Sequence, residues 1–134
     1  MLYSETHAAP AISSILLVED DAGLRNTLAV CLRIAGFKVE TAGDEASALE
    51  RFGKARPSIV VSDLGLPDGE GMNTVQKFHE AAPEVPIVVI SGGGWFSSSH
   101  LLGIAKSLGA SAAMSKPFKP AALVDVLRGF APAA

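Results

Sequence analysis

Apolar residues in this chain come in short unbroken runs, each followed by a stretch where they recur at helical spacing. The first run, Ser14-Ile15-Leu16-Leu17-Val18, stops abruptly at Glu19-Asp20-Asp21, as a buried strand does where it emerges at a sheet edge. From Ala22 the period changes: Leu24, Leu28, Cys31, Leu32 and Ala35 mark a helix, with Asp21 as its cap and Gly36 as its stop. Residues 37–41 predict a second strand. Asp44 then caps a second helix carrying Ala48, Leu49 and Phe52 on one face and ending near Gly53.

The alternation continues to the end of the chain. Residues 58–62 form a third strand that ends at Asp63, followed by the turn-rich loop 64–69 and a helix with Met72, Val75, Phe78 and His79, in which Met72 is assigned to the core. Pro83 and Pro86 bracket a turn before Ile87-Val88-Val89-Ile90, the most strand-like segment, which ends at Ser91 and is broken by Gly92-Gly93-Gly94. Leu101, Ile104, Ala105 and Leu108 mark a fourth helix stopped by Gly109. Residues 111–115 make a short strand ended by Lys116-Pro117-Phe118, and 121–130 the last helix. Each parallel pairing needs a crossover, so five strand-then-helix units predict an α/β, doubly wound, five-stranded parallel sheet with helices on both faces. A flavodoxin-like (βα)5 order of 2-1-3-4-5 is the expected topology.

Composition narrows the possibilities. With 134 residues, 49% hydrophobic and 19% charged, the chain holds enough apolar material for one folded unit, read here as 13–130 between tails at 1–12 and 131–134. A formal charge of -3 argues against binding nucleic acid by phosphate neutralisation. Cys31 is the only cysteine and is assigned to the core, so no internal disulfide forms and a reducing, cytoplasmic setting is expected. No window is apolar enough for a membrane span. His7, His79 and His100 are scattered and expected to be solvated.

Ligands of an open parallel sheet bind outside the carboxyl ends of its strands, where the strand order reverses. The residues there are Glu19, Asp20 and Asp21 after strand 1, Asp63 after strand 3, Ser91 after strand 4 and Lys116 after strand 5. Strands 1 and 3 are neighbours in the expected order, which puts Glu19 and Asp20 beside Asp63. Like charges persist together where a cation or proton neutralises them, and Mg²⁺ binds through carboxylates, waters and a phosphate. Lys116 adds a point charge suited to a phosphoryl oxygen and Ser91 a hydroxyl donor. The set describes a phosphoryl-transfer site with Asp63 as candidate nucleophile.

Val18-Glu19-Asp20-Asp21, the run 63–71 (DLGLPDGEG), Ser91 and Lys116-Pro117-Phe118 together resemble the signature of the response-regulator receiver domain of bacterial two-component signalling, over about 13–129. The resemblance implies that Asp63 takes a phosphoryl group from the phosphohistidine of a histidine kinase or phosphotransfer protein. It implies that Glu19, Asp20, Asp63 and the Gly65 backbone carbonyl hold Mg²⁺, that Ser91 and Lys116 bind phosphoryl oxygens, and that the Lys116–Pro117 bond is cis. In such domains an aromatic three residues before the lysine turns with the switch, and here that position is Ala113. A moving loop at 92–96, with Trp95 or Phe96 as its moving part, is the expected replacement.

The resulting expectation is a single-domain regulator, a phosphoacceptor rather than an enzyme, that signals by binding a downstream protein target. A scaffold of the same fold that works without phosphorylation is the alternative, kept open by Ala113. A haloacid-dehalogenase-type phosphatase is disfavoured because Gly65 stands two residues after Asp63, where that family needs a second Asp. An FMN-binding flavodoxin is disfavoured because three acids follow strand 1 in place of a phosphate loop.

Overall fold

The computed structural model describes residues 13–66, 70–92 and 98–130. The two tails, residues 67–69 of the turn and loop residues 93–97, with the switch role expected of Trp95 or Phe96, lie outside the described residues. Each apolar run becomes a strand: β1 (Ser14–Val18), β2 (Lys38–Ala42), β3 (Ile59–Asp63), β4 (Ile87–Ser91) and β5 (Ala112–Ser115). Between and after them come α1 (Ala22–Ile34), α2 (Glu45–Lys54), α3 (Glu70–Ala81), α4 (Ser98–Ser107) and α5 (Pro120–Arg128). The strands pair in the order β2-β1-β3-β4-β5, all parallel. This is the doubly wound, flavodoxin-like order expected from the sequence.

Alternation along the strands sorts side chains into two cores. Ile15, Leu17, Ile59, Val61, Val88 and Ile90 face α1 and α5, where Leu28, Leu32, Leu123 and Leu127 meet them. Leu16, Val18, Val60, Ile87 and Val89 face the other way, against Ala48, Phe52, Val75, Phe78 and Leu101. Because both faces are covered, β1, β3 and β4 are apolar almost throughout. The edge strands differ: β2 alternates, with Lys38 and Glu40 exposed, and β5 is only partly buried. Arg33 Nη2 donates to Val39 O at 3.0 Å, so part of the β2 edge already has a partner.

Caps fix where the helices begin. Asp21 Oδ1 accepts from Leu24 N at 3.0 Å, and Asp44 Oδ1 accepts from Ser47 N at 2.8 Å. The end of α1 explains why β2 begins one residue later than the pattern predicts. Gly36 adopts φ +102, and Phe37 N turns back to Leu32 O at 3.1 Å, so Phe37 closes the helix instead of opening the strand. The last helix starts at Pro120, one residue earlier than expected, because proline suits the first helical turn.

Met72 corrects the sequence reading: it is 37% exposed, on the solvent side of α3, while Val75 and Phe78 make the core contact. Cys31 is half-buried rather than a full core residue. His79 is half-buried too, its ring lying where a Cβ on Gly109 would stand, 2.3 Å from Cγ. Among the described residues no helix is long and apolar enough to cross a membrane.

Candidate functional site

The strand order brings the polar strand ends together. Val18 pairs with Ser62, and Asp63 with Ile90. Glu19 therefore follows β1 directly beside the end of β3, where Asp63 is the last strand residue. One oxygen each from Glu19, Asp20 and Asp63 lies within 4.8 Å of the others. Glu19 and Asp63 are buried, at 1% and 3% exposure, and Asp20 is open to solvent.

Lys116 reaches this cluster from two strands away. Its backbone N–H donates to Ser91 O at 2.8 Å, continuing the β4–β5 ladder, and the Lys116–Pro117 peptide is cis, as the resemblance implied. Its Nζ lies 2.9 Å from Asp63 Oδ2 and 2.9 Å from Glu19 Oε1. The contact to Asp63 is a hydrogen bond. That to Glu19 is an ion pair, and among the described residues the buried Oε1 has no hydrogen-bond partner. The other Asp63 oxygen, Oδ1, accepts from Gly65 N at 2.7 Å, and Glu19 Oε2 accepts from Asp21 N at 3.1 Å.

These surroundings act on the charges. Burial pushes the Glu19 carboxyl up to about 7, and the Lys116 ammonium and the Asp21 N–H pull it back only in part. Burial also works against the Lys116 charge, but Glu19 and Asp63 outweigh it and hold that amine above its ordinary value. With all groups ionised, three carboxylates face one ammonium and two negative charges remain. A divalent cation with oxygen ligands matches both that balance and the unbonded Oε1 of Glu19, so the residues present fit Mg²⁺.

Ser91 ends β4 next to this cluster, 7% exposed, with its Oγ donating to Gly92 O at 3.2 Å rather than to Asp63 or Lys116. Gly65 shows its N–H to Asp63, so the ligand role of its carbonyl rests on the resemblance alone. Asp21 caps α1. Two residues at the site were given no role from the sequence. Gly71 packs so closely that a Cβ there would stand 2.4 Å from Leu64 O and 2.6 Å from Asp63 O. Arg25, a basic residue one turn into the helix after the acidic run, donates from Nη1 to Glu19 O at 2.9 Å. For Arg25 that position was the available signal; for Gly71 it was a glycine in the first turn of a helix.

The response regulator receiver domain family matches residues 15–128. The chain is 35% identical over 118 residues to the C4-dicarboxylate transport transcriptional regulatory protein DctD of Pseudomonas aeruginosa, which covers 88% of this chain and 25% of DctD. It is 33% identical over 105 residues to the virulence transcriptional regulatory protein PhoP of Salmonella typhimurium, over 78% of this chain and 45% of PhoP. This chain therefore spans a quarter to under half the length of these curated relatives. The chemotaxis response regulator CheY4 of Vibrio cholerae superposes with a TM-score of 0.81 at 28% identity, covering 90% of this chain and 100% of CheY4.

Proposed function

The chain belongs to the response regulator receiver domain family, and on that premise we propose that Asp63 is its phosphoacceptor. The observation that carries the reading is the Asp63 carboxylate itself, buried, clustered with Glu19 and Asp20, and bonded through Oδ2 to Lys116 at 2.9 Å. The donor is the phosphohistidine of a histidine kinase or phosphotransfer protein. An Asp63 oxygen attacks phosphorus, the phosphorus–nitrogen bond breaks, and the electron pair returns to the imidazole, which takes a proton.

Lys116 then turns from the carboxylate to a phosphoryl oxygen, since the charge it balances has moved there. Ser91, whose present bond to Gly92 O is long at 3.2 Å, gives its hydroxyl to a second oxygen. Mg²⁺ held by Glu19, Asp20, Asp63 and the Gly65 carbonyl would neutralise charge on the transferring group. Such a site takes one phosphoryl group and loses it slowly, so the chain works as a phosphoacceptor in the bacterial cytoplasm, not as a turnover enzyme. Its output is altered binding to a protein target.

A scaffold that works without phosphorylation is favoured by one observation, the small, half-buried Ala113 packed against the α2–α4 core. Treatment with a small acyl phosphate or phosphoramidate donor separates the two readings. The phosphoacceptor forms an adduct that hydroxylamine removes, as it removes acyl phosphates, and the scaffold forms none.

A further inference from the structure

We propose that Arg25 is a positioning residue of this site: seated in the space that Gly43 leaves open, its guanidinium holds the turn between β1 and α1 so that Asp20 stays within the carboxylate cluster. The inference deepens the phosphoacceptor reading and rests on it.

Asp20 is the exposed member of the three acids, and among the described residues no hydrogen bond or ion pair holds its carboxylate. Its place is therefore set by its backbone. That backbone is tied on either side: Glu19 N donates to Ala42 O at 3.0 Å, and Asp21 receives Arg25 N on its carbonyl at 2.8 Å and Leu24 N on its side chain at 3.0 Å. Between those ties lie the Glu19 and Asp20 carbonyls. Both face Arg25 Nη1, at 2.9 Å and 3.5 Å. One cation thus anchors the two peptides that carry two of the acids, through charge-assisted bonds.

Gly43 makes room for this. A Cβ on Gly43 would stand 2.9 Å from Arg25 Nη1 and 3.7 Å from its Cζ, and nothing else lies within 4 Å. The Gly43 backbone is outside the left-handed region, so alanine fits its conformation and the guanidinium is the only thing displaced. Arg25 is half-buried, which limits where that group can go. A simpler view is that Arg25 only offsets the acidic charge. The two views differ in sign. A charge-balancing cation competes with Mg²⁺, so its removal tightens Mg²⁺ binding, whereas loss of an anchor that aims a ligand weakens it.

The test is calorimetric titration of the full chain with Mg²⁺, run on the native protein and on Arg25→Met, Arg25→Lys, Gly43→Ala and the Arg25→Met/Gly43→Ala pair. Arg25→Met weakens Mg²⁺ binding about tenfold, in the range found when groups that orient metal ligands are removed, and Arg25→Lys recovers part of the loss. Gly43→Ala weakens it in the same direction. In the double variant Gly43→Ala adds nothing, because its effect runs through a guanidinium no longer present. Unchanged or tighter binding in Arg25→Met overturns the proposal, as does full additivity in the double variant. If Arg25→Met does not fold, the Gly43→Ala change decides: it must weaken binding beside Arg25, and unchanged affinity overturns the proposal. A native chain that takes no phosphoryl group sinks the phosphoacceptor reading. A phosphorylated native chain whose variants bind Mg²⁺ as it does sinks only the role of Arg25.

Discussion

Lys116 Nζ stands 2.9 Å from Asp63 Oδ2 and 2.9 Å from Glu19 Oε1, so one side chain from beyond β5 spans two carboxylates that follow β1 and end β3. Those acids are 1% and 4% exposed at the side chain, and the lysine 24%. Without a metal, this ammonium is the cation that lets two buried acids stand side by side. In the proposed phosphoacceptor role the same ammonium would pass from the Asp63 carboxylate to a phosphoryl oxygen.

Replacing the lysine exposes that tension. Lys116→Met keeps the stem and removes the charge, leaving Glu19 and Asp63 facing each other. The metal-free protein is expected to lose about 2 kcal/mol, below the value for a fully buried pair because Lys116 is partly exposed. Mg²⁺ replaces the missing charge, so it stabilises Lys116→Met more than the native chain. Urea unfolding with and without Mg²⁺ measures this, and equal stabilisation of both proteins counts against it.

The Glu19 carboxyl gives the pH dependence. Its ordinary value is 4.5, and burial raises it to about 7 in the folded chain. The folded protein thus holds this proton more tightly than the unfolded one. The contribution to stability is whole below pH 4.5 and is lost as pH climbs through 7. Mg²⁺ competes for the same carboxylate, so its affinity runs the other way, rising up to about tenfold per pH unit toward pH 7 and levelling above it. Mg²⁺ titrations on either side of neutrality check the slope, and a flat profile contradicts the assignment.

Ser91→Ala separates chemistry from folding. Among the described residues the hydroxyl has one bond, to Gly92 O at 3.2 Å, so its loss changes stability by about 1 kcal/mol or less. Phosphoryl uptake from a small donor is expected to slow tenfold or more, by about the contribution of one hydrogen bond to a charged oxygen. The rate of adduct formation by mass spectrometry measures it. An unchanged rate removes Ser91 from the site.

Gly71→Ala tests the packing against Asp63 at the end of β3. The new Cβ would meet Leu64 O at 2.4 Å and Asp63 O at 2.6 Å, and these are backbone atoms that cannot swing aside. The start of α3 must move off the end of β3, at a cost of about 3 kcal/mol. Thermal unfolding shows whether it does.

The sheet order and four of the clustered residues were legible in the sequence because each rests on a local signal. Unbroken apolar runs gave β1, β3 and β4, the strand–helix alternation gave β2 and β5, and the polar residues closing β1, β3 and β5 gave Glu19, Asp20, Asp63 and Lys116. Met72 misled because its spacing fits the apolar stripe of α3, and periodicity alone cannot separate a stripe's centre from its margin. Phe37 looked like strand because the turn-back of its N–H to Leu32 O is a three-dimensional closure. The contacts of Arg25 and Gly43 were out of reach for the same reason: they join the first helix to the loop after β2, and no local pattern links a guanidinium to a missing Cβ eighteen residues on.

The central claim is that Asp63 carries the phosphoryl group, and intact mass after exposure to a small phosphodonor with Mg²⁺ tests it most directly, on the native chain and on Asp63→Asn. The native chain gains one phosphoryl group and Asp63→Asn gains none. An unmodified native chain, or an equal adduct on Asp63→Asn, contradicts the account.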